Sequence, residues 1–153
     1  MARVNSGINP RYLSDQHLIA ESVEITMITG SLRKNGYQIK GQVPEEYCLG
    51  KGHMNFFKDK ILYLHYRLIE VNKELSLRGI KNSTRVNFRE FPSELTYSWI
   101  PKFRDSELVR KRISERLITP LKAKPGFHKY YGKSIDDMED FTNKIINHTL
   151  FWV

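Results

Sequence analysis

The chain has 153 residues and carries 25 lysines and arginines against 17 aspartates and glutamates, which gives a formal net charge of +8. This length suits one domain with a real hydrophobic core, and the positive excess favours nucleic acid or another polyanion as partner. A membrane-spanning helix is excluded, because no window approaches the roughly 18 apolar residues that it needs. The single cysteine, Cys48, cannot form an internal disulfide, which agrees with a reducing, cytoplasmic location.

The first predicted element is a helix at residues 13–24, LSDQHLIAESVE. Ser14 can cap its first turn, and Leu13 and Leu18 are spaced for a hydrophobic staple. Helical spacing places four polar side chains on one stripe: Ser14, His17, Glu21 and Glu24. The pattern predicts that an imidazole and two carboxylates project in one direction, although a solvated polar face with one histidine is the ordinary alternative.

The segments that follow predict irregular structure. Residues 29–36, TGSLRKNG, break the helical periodicity and expose Arg33 and Lys34, which suits a loop that meets phosphates, although a solubilising turn would look the same. Residues 37–53 contain several glycines and one proline with no sustained pattern. Lys51 lies between two glycines, but the GxxxxGK[ST] frame of a nucleotide-binding loop is missing.

A strong helical pattern predicts one long central helix at residues 54–78. Its apolar positions alternate between spacings of four and three residues: Phe57, Ile61, Leu64, Leu68, Val71 and Leu75. Gly79 is the expected C′ residue, and a helix of this length would span about 35 Å. We expect His53 to form hydrogen bonds at the helix start, because no second ligand stands at metal spacing. No metal and no other cofactor are expected.

The second half of the chain combines a helix with a basic, aromatic segment. Residues 80–104 predict a packed loop with a short helix, and Asp105 or Ser106 can cap a third helix to about residue 118. That helix is predicted to expose a basic surface: Arg110, Lys111, Arg112 and Arg116. Cations and aromatic rings interleave over residues 122–133, which favours nucleic acid. Rings packed into the core with the lysines outside would be compatible with this interpretation. The tail beyond residue 134 predicts a last helix that docks or associates.

Three ordered blocks carry a resemblance to a known family. They are MARVN with DQHLIAE, LGKGH with FFKDK, and KYYGK, at residues 1–21, 49–60 and 129–133. In this order they resemble the small phage-type pyrimidine-dimer DNA glycosylases with abasic lyase activity, called endonuclease V in T-even phages. Pattern and resemblance together predict a compact all-α single domain of about three main helices with long irregular connections. Residues 1–135 would form this glycosylase/lyase-like domain, with residues 136–153 as a C-terminal helical extension packed on it or associated with it.

The resemblance implies roles for individual residues. The α-amine of Ala2, exposed by removal of Met1, would be the nucleophile, and Glu24 would be the catalytic carboxylate. An α-amine has a pKa of about 7.7 to 8.0, so a useful neutral fraction exists at physiological pH. The other matching residues would contact DNA or face the same cleft: Arg3, His17, Arg33, Lys34, Arg116, Lys129, Tyr130, Tyr131 and Lys133.

The sequence departs from the family at two positions. Two arginines that the family uses to grip DNA around the lesion correspond here to Val23 and Met27, which removes two charge-assisted phosphate contacts. The expected partner is double-stranded DNA with a lesion or an abasic site, bound by a monomer, and the expected lesion is a cyclobutane pyrimidine dimer. A glycosylase for another damaged or modified base, and a non-catalytic DNA-binding relative, are the alternatives.

Overall fold

A computed structural model of the chain describes residues 3–118, 127–135, 137–148 and 152. These ranges contain the helices α1 (Asp15–Lys34), α2 (His53–Phe57), α3 (Ile61–Leu77), α4 (Phe103–Ile118) and α5 (Met138–His148). An antiparallel hairpin of two short strands, β1 (Lys129–Tyr130) and β2 (Lys133–Ser134), lies between α4 and α5. The predicted all-α fold with a C-terminal helical extension is confirmed.

Helix α1 begins where the sequence predicts and extends well beyond the predicted end. Ser14 is the N-cap, and its Oγ accepts a hydrogen bond from the His17 backbone N–H at 3.1 Å. The predicted loop over residues 29–34 is wrong, because the helix continues to Lys34. It then ends in a Schellman motif, in which Gly36 has a φ of +67° and the Tyr37 N–H donates to the Leu32 carbonyl at 2.8 Å.

The predicted long central helix is two helices, α2 and α3, separated by a turn at residues 58–60. The Tyr97 N–H donates to the Asp59 carbonyl at 3.1 Å, and Lys60 forms an isolated β-bridge with Thr96. A segment distant in sequence therefore binds the backbone at the turn where one continuous helix would have passed. Helix α3 alone spans about 26 Å. The predicted apolar face is confirmed, since all of its members are buried: Phe57, Ile61, Leu64, Leu68, Val71 and Leu75.

The core lies between α1 and α3, which pack against each other along their apolar faces. Helix α4 adds Val109 and Ile113 to this core, and α5 packs on α4. Between α3 and α4 the chain forms two short 3-10 turns, Phe88–Glu90 and Ser93–Leu95, in place of the predicted short helix. Within the described ranges, every helix is too short or too polar to cross a lipid bilayer.

The N-terminal part of α4 corrects two details of the prediction. The helix begins at Phe103, and the Asp105 carboxylate accepts a hydrogen bond from the Lys102 N–H at 2.8 Å, just before the first turn. Arg110 is not part of the predicted basic surface, because it is buried, pairs with Glu107 and lies 5.8 Å from the centre of the Phe103 ring. The exposed charge of α4 is therefore smaller than its sequence indicates.

Candidate active site

The segment before α1 is held against the core by hydrogen bonds to its backbone. His53 Nε2 accepts a hydrogen bond from the Val4 N–H at 3.0 Å, and the Tyr47 hydroxyl donates to the Val4 carbonyl at 2.9 Å. His53 Nδ1 lies 2.8 Å from the Cys48 carbonyl, which can only accept, so Nδ1 carries the ring proton. His53 thus forms hydrogen bonds as predicted, and one of its partners is the N-terminal segment.

A buried ion pair holds the next residues of the same segment. One oxygen of the fully buried Glu21 accepts hydrogen bonds from the Asn5 backbone N–H at 3.1 Å and from Asn5 Nδ2 at 2.9 Å. Arg67 Nε lies 2.5 Å from the other Glu21 oxygen, and the Arg67 guanidinium donates to the Asn5 and Ile8 carbonyls at 3.0 and 2.8 Å. The polar side chains predicted to lie on one stripe of α1 therefore do not act together, because Glu21 is buried against Arg67 and holds the N-terminal segment.

Sequence reasoning missed Arg67. The available signal was its position three residues after Leu64 and four before Val71, which places a cation on the apolar face of α3. A cation on such a face needs a buried partner, and Glu21 is that partner. The helical pattern alone could not identify which carboxylate it would meet.

The neutral state of His53 makes the stability of the protein depend on pH. Burial lowers the pKa of His53 from 6.5 to about 4. Between those values the unfolded chain binds a proton that the folded chain does not, so the free energy of unfolding falls as the pH drops from about 6.5 towards 4. His53→Gln keeps an acceptor but cannot titrate, so urea unfolding between about pH 4.5 and 7 should show a slope smaller by up to one proton. Equal slopes in both proteins would contradict this assignment.

The anchored segment places Arg3 against Glu24. Arg3 Nη1 lies 4.0 Å from Glu24 Oε1, and the two side chains are 9% and 5% exposed. Burial raises the pKa of Glu24, and the positive charges of Arg3 and Arg112 oppose that rise. A carboxylate in such a poorly solvated place interacts strongly with any positive charge that forms next to it. Ala2, which precedes Arg3, lies outside the described residues.

Arg3 and Glu24 line an open cleft with a volume of about 480 Å³. Met27 of α1 lines it too, and the opposite side is formed by α2 and the loop before it: Gly50, Lys51, Gly52, His53, Met54 and Asn55. Gly52 has a φ of +94°, and a Cβ there would lie 3.2 Å from Pro44, so the turn into α2 requires glycine. The glycine-rich part of LGKGH therefore forms a wall of the cleft.

A second arginine, Arg112 of α4, also influences the pKa values of side chains in and near the cleft. Burial is the main cause of the shifted pKa values of Glu24, His17 and His53, and the positive charge of Arg112 lowers all three. The charge of Arg112 on α4 therefore affects side chains of both α1 and α2. Sequence reasoning placed Arg112 only in a general basic surface and selected Arg116, whose side chain lies outside the described part of the structure.

His17 contacts the segment that leads into the hairpin. Its ring centre lies 5.0 Å from that of His128, and His128 Nδ1 forms a 3.2 Å hydrogen bond with the Ser14 hydroxyl. Burial, followed by the charges of His128 and Arg112, lowers the pKa of His17 to about 3. The ring is therefore neutral, and it joins α1 to the C-terminal part of the chain.

The two basic residues at the end of α1, Arg33 and Lys34, differ in their contacts. Arg33 forms a bidentate ion pair with Glu90, with Nε and Nη2 at 2.6 and 2.9 Å from the two carboxylate oxygens. Hydrogen bonds from Arg33 and Tyr37 lower the pKa of Glu90 to about 2. Lys34 is exposed on the same turn. A phosphate would compete with Glu90 for Arg33, whereas Lys34 is accessible.

The KYYGK block forms the β1–β2 hairpin, which docks on α1 and α3. Tyr131 and Gly132 form its turn with φ values of +53° and +79°, and their N–H groups donate to the Asp15 carboxylate at 3.1 and 2.8 Å. Arg78 pairs with Asp15 at 2.9 Å and lies 4.7 and 4.6 Å from the ring centres of Tyr130 and Tyr131. The rings thus contribute to packing, and four side chains of the hairpin remain exposed: Lys129, Tyr131, Lys133 and Ser134.

These observations define a small helical protein of net positive charge, in which an anchored N-terminal segment holds an arginine against a buried carboxylate in an open cleft. The chain belongs to the pyrimidine dimer DNA glycosylase family, because the sequence model of that family matches residues 1–88, more than half of the chain. The match includes every described residue that lines the cleft and both members of the buried ion pair. Membership supports DNA glycosylase activity, with lesion-bearing DNA as the substrate.

Proposed function

We propose that the protein is a DNA N-glycosylase with abasic lyase activity, acting on cyclobutane pyrimidine dimers through the α-amine of Ala2 and the carboxylate of Glu24. The observation that carries the proposal is the Arg3–Glu24 pair, held by an N-terminal segment whose backbone is fixed from Val4 onwards. Covalent geometry keeps the Cα atoms of Ala2 and Arg3 about 3.8 Å apart. We infer that the amine of residue 2, one residue before Arg3, acts together with Glu24.

The chemistry requires removal of Met1, so that the nitrogen of Ala2 is an amine and not an amide. The neutral amine attacks C1′ of the damaged nucleotide, and the glycosidic bond breaks with its electron pair leaving on the base. Opening of the sugar ring gives a cationic imine between the Ala2 nitrogen and C1′. Loss of a C2′ proton then expels the 3′ phosphate by β-elimination, which cuts the strand.

The side chains of the cleft suit these steps. Glu24 stabilises the cationic imine and relays protons, because its negative charge is poorly screened in its buried position. In this proposal Arg3 pairs with Glu24 and also holds a phosphate of the damaged strand. Two exposed cations, Lys51 in the wall of the cleft and Lys34 at the end of α1, support binding of the flanking backbone.

Borohydride trapping tests the proposal directly. The protein is incubated with a duplex that contains one abasic site, the imine is reduced, and the adduct is located by intact mass and peptide mapping. We expect one adduct, on Ala2 of a chain that has lost Met1. The matched control is the same protein acetylated at Ala2, which should bind the duplex but form no adduct, because an amide nitrogen is not nucleophilic.

Two results would contradict the proposed mechanism. An adduct on a lysine would move the nucleophile away from the N-terminus. The absence of any adduct, from a chain shown to begin at Ala2 and to bind the duplex, would favour a non-catalytic DNA-binding protein.

A further inference from the structure

Helix α1 has a second apolar face, which lies exposed beside the cleft. Its side chains are Ile19, Val23 and Met27, which are 41%, 47% and 52% exposed. Because they are four residues apart, they lie along one side of the helix over about 12 Å. A Cβ added at Gly30 would meet nothing within 4 Å, so this side of the helix faces open space for another turn. These three side chains form the apolar stripe.

The apolar stripe is continuous with the candidate active site. Met27 lines the cleft together with Arg3 and Glu24. Exposed cations flank the stripe, with Lys34 at the end of α1 and Lys51 across the cleft. The stripe itself carries no charge, and burying a phosphate against it would remove water from the phosphate without replacing the lost hydrogen bonds. Phosphates therefore suit the flanks, and the stripe suits an apolar surface.

We propose that the apolar stripe binds the faces of the nucleobases that become unstacked at the lesion. This inference rests on the proposed function, since an enzyme that reaches C1′ must take the damaged nucleotide out of the stack. In an intact duplex the base faces are covered by their neighbours, and only base edges and phosphates are accessible. Once a nucleotide leaves the stack, apolar side chains beside the site can cover the newly exposed rings. The stripe then adds affinity for damaged DNA only.

The charge distribution favours this occupant over a second copy of the chain. A net charge of +8 opposes self-association, whereas it attracts DNA to the same surface. A dimer that buried Met27 would also cover the cleft that Met27 lines. Self-association through the stripe is therefore the competing outcome that the experiment tests.

The test compares a double variant with a matched control. Val23→Ala/Met27→Ala shortens the stripe, and Ile69→Ala/Leu77→Ala shortens two exposed side chains of α3, where Ile69 is 47% exposed like Val23. Binding is measured to a duplex with one thymine dimer and to the same duplex undamaged, with Glu24→Gln present in every protein to prevent turnover. We expect the stripe variant to bind the damaged duplex at least about tenfold more weakly, since each buried methylene changes affinity roughly fourfold and burial of about two of the removed groups is enough for that loss. Its affinity for undamaged DNA should not change.

The salt dependence of binding identifies the type of contact. The slope of log affinity against log salt concentration reports phosphate contacts, so it should be the same for the stripe variant and its parent. Three results would overturn the inference: an equal loss on both duplexes, no loss on either, or a parent that sediments as a dimer while the variant is a monomer. Failure of the proposed function would appear separately, as a wild-type protein, with Glu24 intact, that forms no imine with an abasic site.

Discussion

Glu24→Gln is expected to abolish strand cleavage at an abasic site and to leave duplex binding intact. Glutamine keeps the size of the side chain and can still contact Arg3, but it removes the charge that stabilises the cationic imine and accepts protons. Loss of one such group typically lowers the rate about 10²- to 10⁴-fold. Binding should be retained because a carboxylate repels phosphate, so phosphate contacts, which provide most of the affinity for DNA, are expected from other residues.

Single-turnover cleavage of a duplex with one abasic site, with binding measured in parallel, checks this expectation. The matched control is Glu45→Gln, which makes the same change at an exposed carboxylate. Thermal unfolding shows whether Arg3 has been left destabilised beside a neutral partner. Unchanged cleavage by Glu24→Gln would exclude Glu24 as the catalytic carboxylate, and a joint loss of cleavage and binding would indicate a role in DNA binding.

The elements that sequence reasoning predicted well are those that local chemistry determines. Ser14 caps α1 because its own hydroxyl reaches the third N–H of the helix, and the apolar face of α3 follows from spacing alone. The end of α1 was misplaced because Gly30 interrupts an apolar pattern without ending a helix that packs on α3. The break between α2 and α3 could not be predicted, because it depends on backbone contacts from residues 96 and 97.

The candidate site likewise contains residues that the sequence identified and contacts that it could not predict. Ala2 and Glu24 came from the resemblance, and Arg3 against Glu24 agrees with it, but the roles of these residues are proposals. The helical stripe grouped Glu21 with Glu24 because they are three residues apart, although one is fully buried and the other lines the cleft. Periodicity gives the direction of a side chain and cannot identify its partner on another helix.

Arg67→Met is expected to lower the free energy of unfolding by about 3 to 5 kcal/mol, because it leaves the charge of Glu21 buried without a cation. That is a large part of the roughly 5 to 15 kcal/mol that stabilises a typical domain. Urea unfolding at neutral pH measures the change. The matched control is Arg33→Met, which breaks an exposed ion pair with Glu90 and should cost less than about 1 kcal/mol. A loss no larger than that of the control would show that Arg67 does not compensate a buried charge.

The double variant Glu21→Leu/Arg67→Met separates stability from positioning. With no charge left in the core, we expect it to recover part of the stability that Arg67→Met loses. The Asn5 and Ile8 carbonyls nevertheless lose their donor, so the segment that places Arg3 beside Glu24 is held less firmly. Imine trapping should therefore be slow in Arg67→Met, and it should stay slow in the double variant although part of the stability returns. Recovery of both would show that the ion pair stabilises the fold without positioning the N-terminal amine.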